Sequence, residues 1–243
     1  TIQPSQSDYT QAVYGGGNGD YHNIVLAPCS VQESCDMVGL AKELMMKWRT
    51  PVIILSDGSI GQMMEKCILP PYTPRRNDEE IRQQCPWAIN GLGLKGRKPN
   101  VATSLELNQA YMEKRNKNLQ EKYKKIEQVE VRAEHYLTDD ADTIIVAFGS
   151  AARISMGAID TMREKGHKIG LIRPVTLWPF PNNEIHELAS RAKRLVVVEL
   201  NEGQMLRDVQ WASKFCCPID FIGHSGGVTI TPDEIVEKIY SLK

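Results

Sequence analysis

The sequence predicts an α/β protein in two parts, the second built on an open, mainly parallel sheet. Two patterns carry that expectation. Residues 23–55 read as strand, helix, strand, the spacing of a βαβ unit. Beyond residue 140, four apolar runs rich in Val, Ile and Leu alternate with four segments of helical length, as in a sheet covered on both faces. With 243 residues, 42% of them hydrophobic, the chain has enough apolar surface to fill such cores.

Residues 1–23 are polar and turn-rich around Gly15-Gly16-Gly17-Asn18-Gly19-Asp20, and predict a loop or a short helix followed by a loop. Ile24-Val25-Leu26 then makes a short buried strand within 23–27, stopped by Pro28. Ser30 with Glu33 spells a capping box, and Val31, Cys35, Val38, Leu40, Ala41, Leu44 and Met45 continue at near-helical spacing to about Trp48. Residues 51–55 are a second strand, closed by the turn former Ser56-Asp57-Gly58. Pro70, Pro71 and Pro74 fix φ and remove donors, so an arm or linker begins there. Residues 86–100 stay loop-like, whereas 105–134 contain neither Gly nor Pro and predict a long, charged helix with one modest apolar stripe. Strands are expected at 142–148, 168–172, 194–200 and 218–222. Helices are expected at 151–165, 183–192, 203–214 and 232–242.

Lys and Arg total 29 against 30 Asp and Glu, so no global field favours nucleic acid or an anionic membrane. No apolar run approaches the roughly 18–20 residues that span a bilayer, no leader-like layout opens the chain, and cytoplasm is the expected compartment. The six cysteines, at 29, 35, 67, 85, 216 and 217, include no Cys-x-x-Cys pair and no histidine spaced for a metal. Reduced thiols and no iron–sulfur cluster in this chain are expected.

Ligands of such sheets gather at the carboxyl ends of strands, so the loops after each strand are the candidates for chemistry. Gly149-Ser150-Ala151-Ala152-Arg153 could hold an anion at a helix N-terminus or be a plain tight turn. Residues 173–181, with three prolines, Trp178 and Phe180, predict a stiff amphipathic surface segment better suited to a protein contact than to catalysis. Glu199 and Glu202 could do acid–base work, although helix capping by Asn201 is the preferred reading. His224 is expected as an exposed polar residue, and Met63 and Met64 as packing.

Five strings taken in order resemble the alpha subunits of 2-oxoacid:ferredoxin oxidoreductases. They are residues 1–9 (Thr-Ile-Gln-Pro-Ser-Gln-Ser-Asp-Tyr), 15–21, Asp57-Gly58 through Gln62-Met63-Met64-Glu65, 173–181 and 199–205. Gln62 to Glu65 and the stretch from Pro70-Pro71 to Cys85-Pro86-Trp87 look most like the 2-ketoisovalerate branch. The resemblance implies three parts: the C-terminal part of a thiamine-diphosphate-type pyrimidine-side α/β domain at 1–72, a linker arm with the charged helix at 73–140, and a transketolase C-terminal-like open-sheet domain at 141–243. The family's subunits carry a further segment ahead of the position of Thr1, including the glutamate that activates the cofactor. The pyrimidine-side domain is therefore expected to be incomplete here, with no catalytic residue retained.

The same resemblance implies oxidative decarboxylation of a 2-oxoacid to an acyl-CoA, with ferredoxin as acceptor. Thiamine diphosphate and magnesium would lie at the interface with a beta subunit, and iron–sulfur clusters in gamma, delta or other partner subunits. A non-catalytic assembly module descended from such a subunit is the alternative, and a coenzyme-A-binding ligase-type protein a third. Thr1, Gln3 and Gln6 would lie near the 2-oxoacid pocket, with Asp8 and the loop of Gly15, Gly16, Gly17, Asn18 and Asp20 toward the beta subunit. The same residues are also turn formers in a turn. Arg173, Pro174, Trp178 and Phe180 would form an interface loop, and at least a dimer is expected of the isolated chain.

Overall fold

The computed structural model describes residues 3–15, 19–89 and 99–242. Two compact units emerge, one of Thr1–Ile68 with Glu121–Lys243 and one of Leu69–Gln120.

In the first unit a short helix, α1 (Tyr9–Val13), precedes β1 (Ile24–Leu26), α2 (Val31–Trp48), β2 (Val52–Ile54) and α3 (Gly58–Gln62). Ser30 caps α2 by accepting the Glu33 N–H at 3.1 Å, but Glu33 reaches back one residue further than a capping box requires, taking the Cys29 N–H at 2.8 Å. Met37, Ala41 and Leu44 form the buried stripe of α2, while Val38 and Met45 stay exposed. Arg49 ends the helix in the left-handed conformation, ahead of Pro51. β1 and β2 pair in parallel, as a βαβ unit requires.

The second unit contains α4 (Asp78–Gln84), opened by a capping box of Asn77 and Glu80, and the first turns of α5 (Gln109–Val129). Asn108 accepts the Tyr111 N–H at 3.1 Å and so starts α5 four residues later than the Gly- and Pro-free stretch suggested. The other end of α5, in the first unit, also falls short of residue 134. Glu130 is only 2% exposed and accepts from Lys47 Nζ and Trp48 Nε1 at 2.7 Å and from Arg132 at 3.0 Å. That buried network diverts the chain into an extended segment, and Ala133–Tyr136 becomes a strand, β3.

Four later strands, β4 (Thr143–Ala147), β5 (Ile169–Pro174), β7 (Arg194–Glu199) and β8 (Ile219–Gly223), fall on the four predicted runs, with β5 extending two residues past 172 and β8 one past 222. They alternate with α6 (Gly149–Glu164), α7 (Asn182–Arg191), α8 (Gln204–Ser213) and α9 (Pro232–Ser241). The sheet order is β3-β5-β4-β7-β8, with β4 parallel to β5 and β7, β7 parallel to β8, and β3 antiparallel on the edge. Ile145, Ala147, Val196 and Val198 point to the face that packs with Ala158, Ile159, Ile235 and Val236 of α6 and α9. By alternation, Ile144, Val146, Leu195 and Val197 are buried on the opposite face, the side left to the paired helices α7 and α8.

Residues 173–181 do not form the surface segment expected. Arg173 and Pro174 end β5, and Thr176–Trp178 form β6, which pairs antiparallel with β1 and completes a three-stranded sheet ordered β2-β1-β6. Arg173, Pro174 and Trp178 are buried and Phe180 is half-buried. The prolines flank rather than interrupt β6, so Val175 and Thr176 can donate to Arg132 O at 2.9 and 3.1 Å while Ala27 donates to Val175 O at 2.8 Å.

Gly170 of β5 leaves no room for a side chain: a Cβ there would lie 2.4 Å from Leu137 O and 2.9 Å from Tyr136 O. Gly170→Ala is expected to force β3 off β5 and cost about 1–3 kcal/mol in urea unfolding. An unchanged midpoint would mean that the 136–137 backbone gives way freely.

Candidate functional site

The N-terminal segment lies across the carboxyl ends of β4 and β7, and Gln6 holds it there. Buried to 4% exposure, Gln6 donates Nε2–H to Phe148 O at 2.9 Å and accepts the Leu200 N–H at 3.0 Å. Its own N–H bonds to Leu200 O at 3.0 Å. Its amide therefore serves the chain's own backbone, and Gln6 acts as a fastening rather than as a free donor to a carboxylate. Gln204 adds two bonds, accepting from Thr10 N–H at 2.8 Å and donating to Ser7 O at 2.7 Å. Tyr9, fully buried, donates to Asp208 at 2.5 Å, and Tyr14 donates to the other oxygen of the same carboxylate. Burial and the adjacent Asp208 push both phenols well above their ordinary range, and burial raises the Asp208 carboxyl despite the two tyrosine bonds.

Gln3 and Asp8 are exposed, and Gln3 packs over Gly227. Asp8 precedes α1 without capping it and lines a crevice with Ser5, Gln6, Leu55, Ser56, Asp57, Phe148 and Gly149. Within that crevice Asp57, read in the sequence as a turn former and as the start of one of the family-like strings, was not expected in the site. Its Oδ1 accepts the Ser59 and Ile60 N–H groups at 2.9 and 3.2 Å, and its Oδ2 accepts the Ser150 N–H at 3.2 Å. One buried carboxylate thus caps α3 and also fills the N-terminus of α6, the position weighed above for an external anion. Its sequence signals were an Asp shortly after a strand and ahead of a glycine, and its place in a family-like string.

Glu199 and Glu202 do not converge, since Glu202 is exposed and Glu199 is fully buried. Asn201 caps as expected, accepting the Gly203 and Gln204 N–H groups at 2.8 and 2.9 Å. Glu199 extends the cap by taking Met205 and Leu206 N–H at 2.8 and 2.9 Å. Burial pushes its carboxyl upward. His224 is half-buried rather than free, with Glu234 at 2.7 Å.

Arg173 is the most heavily partnered side chain of the predicted interface loop. Its guanidinium donates to both oxygens of Glu33 at 2.6 and 3.0 Å, to Glu134 at 2.6 Å and to Ala27 O at 3.3 Å. Trp178 stacks on His22, with ring planes 3° apart and centroids at 4.8 Å, and meets Tyr123 edge-on. Trp178 and Phe180 line an open groove of about 680 Å³ with Tyr14, His22, Asp208 and Trp211. Tyr14 and His22 bracket the glycine loop, of which Gly15 has φ +65° and Asp20 is exposed. Thr1, Gly16, Gly17 and Asn18 lie outside the described residues.

Gln6 and Asp8 therefore line the crevice, whereas Trp178 and Phe180 line the groove. Among the described residues no cluster of three His, Cys, Asp or Glu could hold a metal ion, and no helix is long and apolar enough to cross a membrane. The α6 N-terminus, where Asp57 already accepts the Ser150 N–H, is not open to a diphosphate.

Two family models match the chain: "Pyruvate flavodoxin/ferredoxin oxidoreductase, thiamine diP-bdg" over residues 1–135 and "Pyruvate:ferredoxin oxidoreductase core domain II" over residues 141–235. The ketoisovalerate oxidoreductase subunit VorB of Methanothermobacter thermautotrophicus is 43% identical over 98% of this chain and 65% of its own length. The 2-oxoglutarate synthase subunit KorA of Methanothermobacter marburgensis is 33% identical, covering 98% of this chain and 68% of its own. This chain thus spans about two thirds of the curated relatives it matches. In fold it is similar to 2-oxoglutarate:ferredoxin oxidoreductase from Magnetococcus marinus, with a TM-score of 0.76 and 22% identity over 99% of this chain and 45% of that one.

Proposed function

Because the chain belongs to the 2-oxoacid:ferredoxin oxidoreductases as an alpha-type subunit, we propose that it works in a cytoplasmic complex oxidising 2-ketoisovalerate to its acyl-CoA and CO₂, with ferredoxin taking the electrons. The observation that carries the substrate class is the gap in identity, 43% to a ketoisovalerate subunit against 33% to a 2-oxoglutarate subunit, each over 98% of this chain.

Thiamine diphosphate, which supplies the electron sink for such decarboxylations, would be gripped with its magnesium by a beta subunit. Iron–sulfur clusters would sit in the gamma and delta partners. This chain's own part is then to form walls and contacts. Gln3 and Asp8 would border the 2-oxoacid, on a segment that Gln6 and the Tyr9–Asp208 bond hold in place. The exposed ring of Trp211, beside Tyr14 and Phe180, would make the groove a seat for a partner subunit.

The test is dye reduction dependent on a 2-oxoacid and coenzyme A by the complex co-purified with its partner subunits. Roughly tenfold or greater preference in kcat/KM for 2-ketoisovalerate over 2-oxoglutarate is expected, since a pocket shaped for an isopropyl group leaves the second carboxylate of 2-oxoglutarate without a partner. Preference for 2-oxoglutarate would overturn the substrate class. An assembled complex that turns over no 2-oxoacid would favour a non-catalytic assembly role instead.

A further inference from the structure

We propose that Cys35 and Cys67 are a redox modification site, two thiols that close to a reversible disulfide. Hydrogen bonds other than their own bring them together. Gln32, in the first turn of α2, accepts the Ile68 N–H at 2.8 Å and donates to Ile68 O at 3.0 Å, a two-point clamp on the backbone of residue 68. Asp36 Oδ1 accepts from the same amide nitrogen at 3.0 Å and steadies it. Glu65 Oε2 accepts the Val31 N–H at 3.3 Å, so the chain from 65 to 68 lies along the start of α2. Cys35 follows Gln32 by three residues and shares its helix face; Cys67 precedes the clamped Ile68.

The two thiols are near enough for Cys35 to act on Cys67, both are free and neither is fully buried. Desolvation, then the Cys35 contact and the charge of Asp36, raise the Cys67 thiol above its ordinary value. Cys67 therefore rests protonated near neutral pH and reacts through its minor thiolate form. The remaining four cysteines have other surroundings: Cys29 sits against Glu33 and Arg173, Cys85 ends α4, Cys216 is exposed beside His186, and Cys217 adjoins Cys216.

The oxidant is a small-molecule disulfide such as oxidised glutathione. One protein thiolate attacks it, forms a mixed disulfide and expels one small thiol. The second protein thiolate then attacks the protein sulfur of that bond, forms the Cys35–Cys67 bond and expels the second small thiol. The protein loses two hydrogens and the small disulfide gains them. The product ties residues 65–68 covalently to α2, where Gln32 now holds them by two hydrogen bonds.

Incubation of the reduced protein with oxidised glutathione, followed by non-reducing peptide mapping, tests this. The expected result is a peptide pair joined through Cys35 and Cys67 as the dominant intramolecular link, lost on addition of dithiothreitol. In Cys35→Ser the same treatment should leave Cys67 as a glutathione mixed disulfide. Recovery of Cys35 and Cys67 from the wild-type protein only as free thiols or as separate mixed disulfides would overturn the proposal. So would a map in which other pairings predominate. The readout is covalent and does not depend on turnover, so it stands apart from the proposed function.

Discussion

Arg173→Met is expected to destabilise the protein by about 3–5 kcal/mol, the range seen when one member of a buried ion pair is removed. Arg173 is 2% exposed, and its loss leaves the Glu33 carboxylate facing the Cys29 amide alone and strips Glu134 and Ala27 O of their donor. The methionine restores most of the volume, so the loss would report on charge and hydrogen bonding rather than on a cavity. Arg173→Lys keeps the charge without the planar fork that serves Glu33 and Glu134 together, and should recover only part of the stability. Urea unfolding checks both variants. A loss under about 1 kcal/mol for Arg173→Met would show that the network contributes little net stability, as well-packed replacements of buried pairs sometimes reveal.

The same network sets a pH dependence. Burial opposes ionisation of Glu33, but the bonds from Arg173 and the Cys29 amide prevail and hold its carboxyl below the ordinary value of 4.5. A lowered carboxyl stabilises the fold above its unfolded value, and that contribution disappears as the pH falls through the folded one. The stability gap between the wild type and Glu33→Gln should therefore be widest near neutral pH and narrow on acidification to about pH 4. A gap that widens in acid would contradict the assigned partners.

The second large effect is expected at Glu199. Glu199→Ala removes the acceptor of the Met205 and Leu206 N–H groups and of the Asn201 amide, all beside a core in which Met205 is fully buried. Two orphaned donors at about 1–3 kcal/mol each, with the emptied volume, put the cost at about 3–5 kcal/mol. Because α8 carries Asp208 and Gln204, loosening its first turn should also release the N-terminal segment held by Tyr9 and Thr10. Hydrogen exchange at residues 6–14 should then quicken beyond the global loss of stability.

Glu199 also reverses the pH sign of Glu33. Burial raises its carboxyl above 4.5, so its favourable contribution is complete below that value and falls as the pH rises through the folded one. The wild-type advantage over Glu199→Gln should shrink toward neutral pH, while the advantage over Glu33→Gln grows. Equal slopes for the two variants would contradict one of these two assignments.

The parts of this fold that depend on local pattern were readable from the residues. Four apolar runs after residue 140 became β4, β5, β7 and β8, because a run of Val, Ile and Leu bounded by turns is buried on both faces of a parallel sheet whichever neighbours it finds. Ser30 and Asn201 likewise capped helices within three residues of themselves. The family was legible for a similar reason: its strings are contiguous, and their order survives in one dimension.

What escaped the sequence depends on partners far along the chain. Residues 130–136 left the helix because Glu130 finds Lys47 and Trp48, more than eighty residues earlier. The proline-flanked stretch at 173–178 entered a sheet because β1 offered it an edge and Arg173 found Glu33 across 140 residues. Gln6, in the wall of the crevice, spends its amide on the Phe148 carbonyl 142 residues away, and Asp57 reaches the start of α6. A buried polar group must be satisfied, but its residue type does not say by whom. The sequence by itself determined the first strand–helix–strand unit, the four parallel strands after residue 140 with their helices, and the family, whereas tertiary structure alone decided the added strands β3 and β6 and which polar side chains hold the fold.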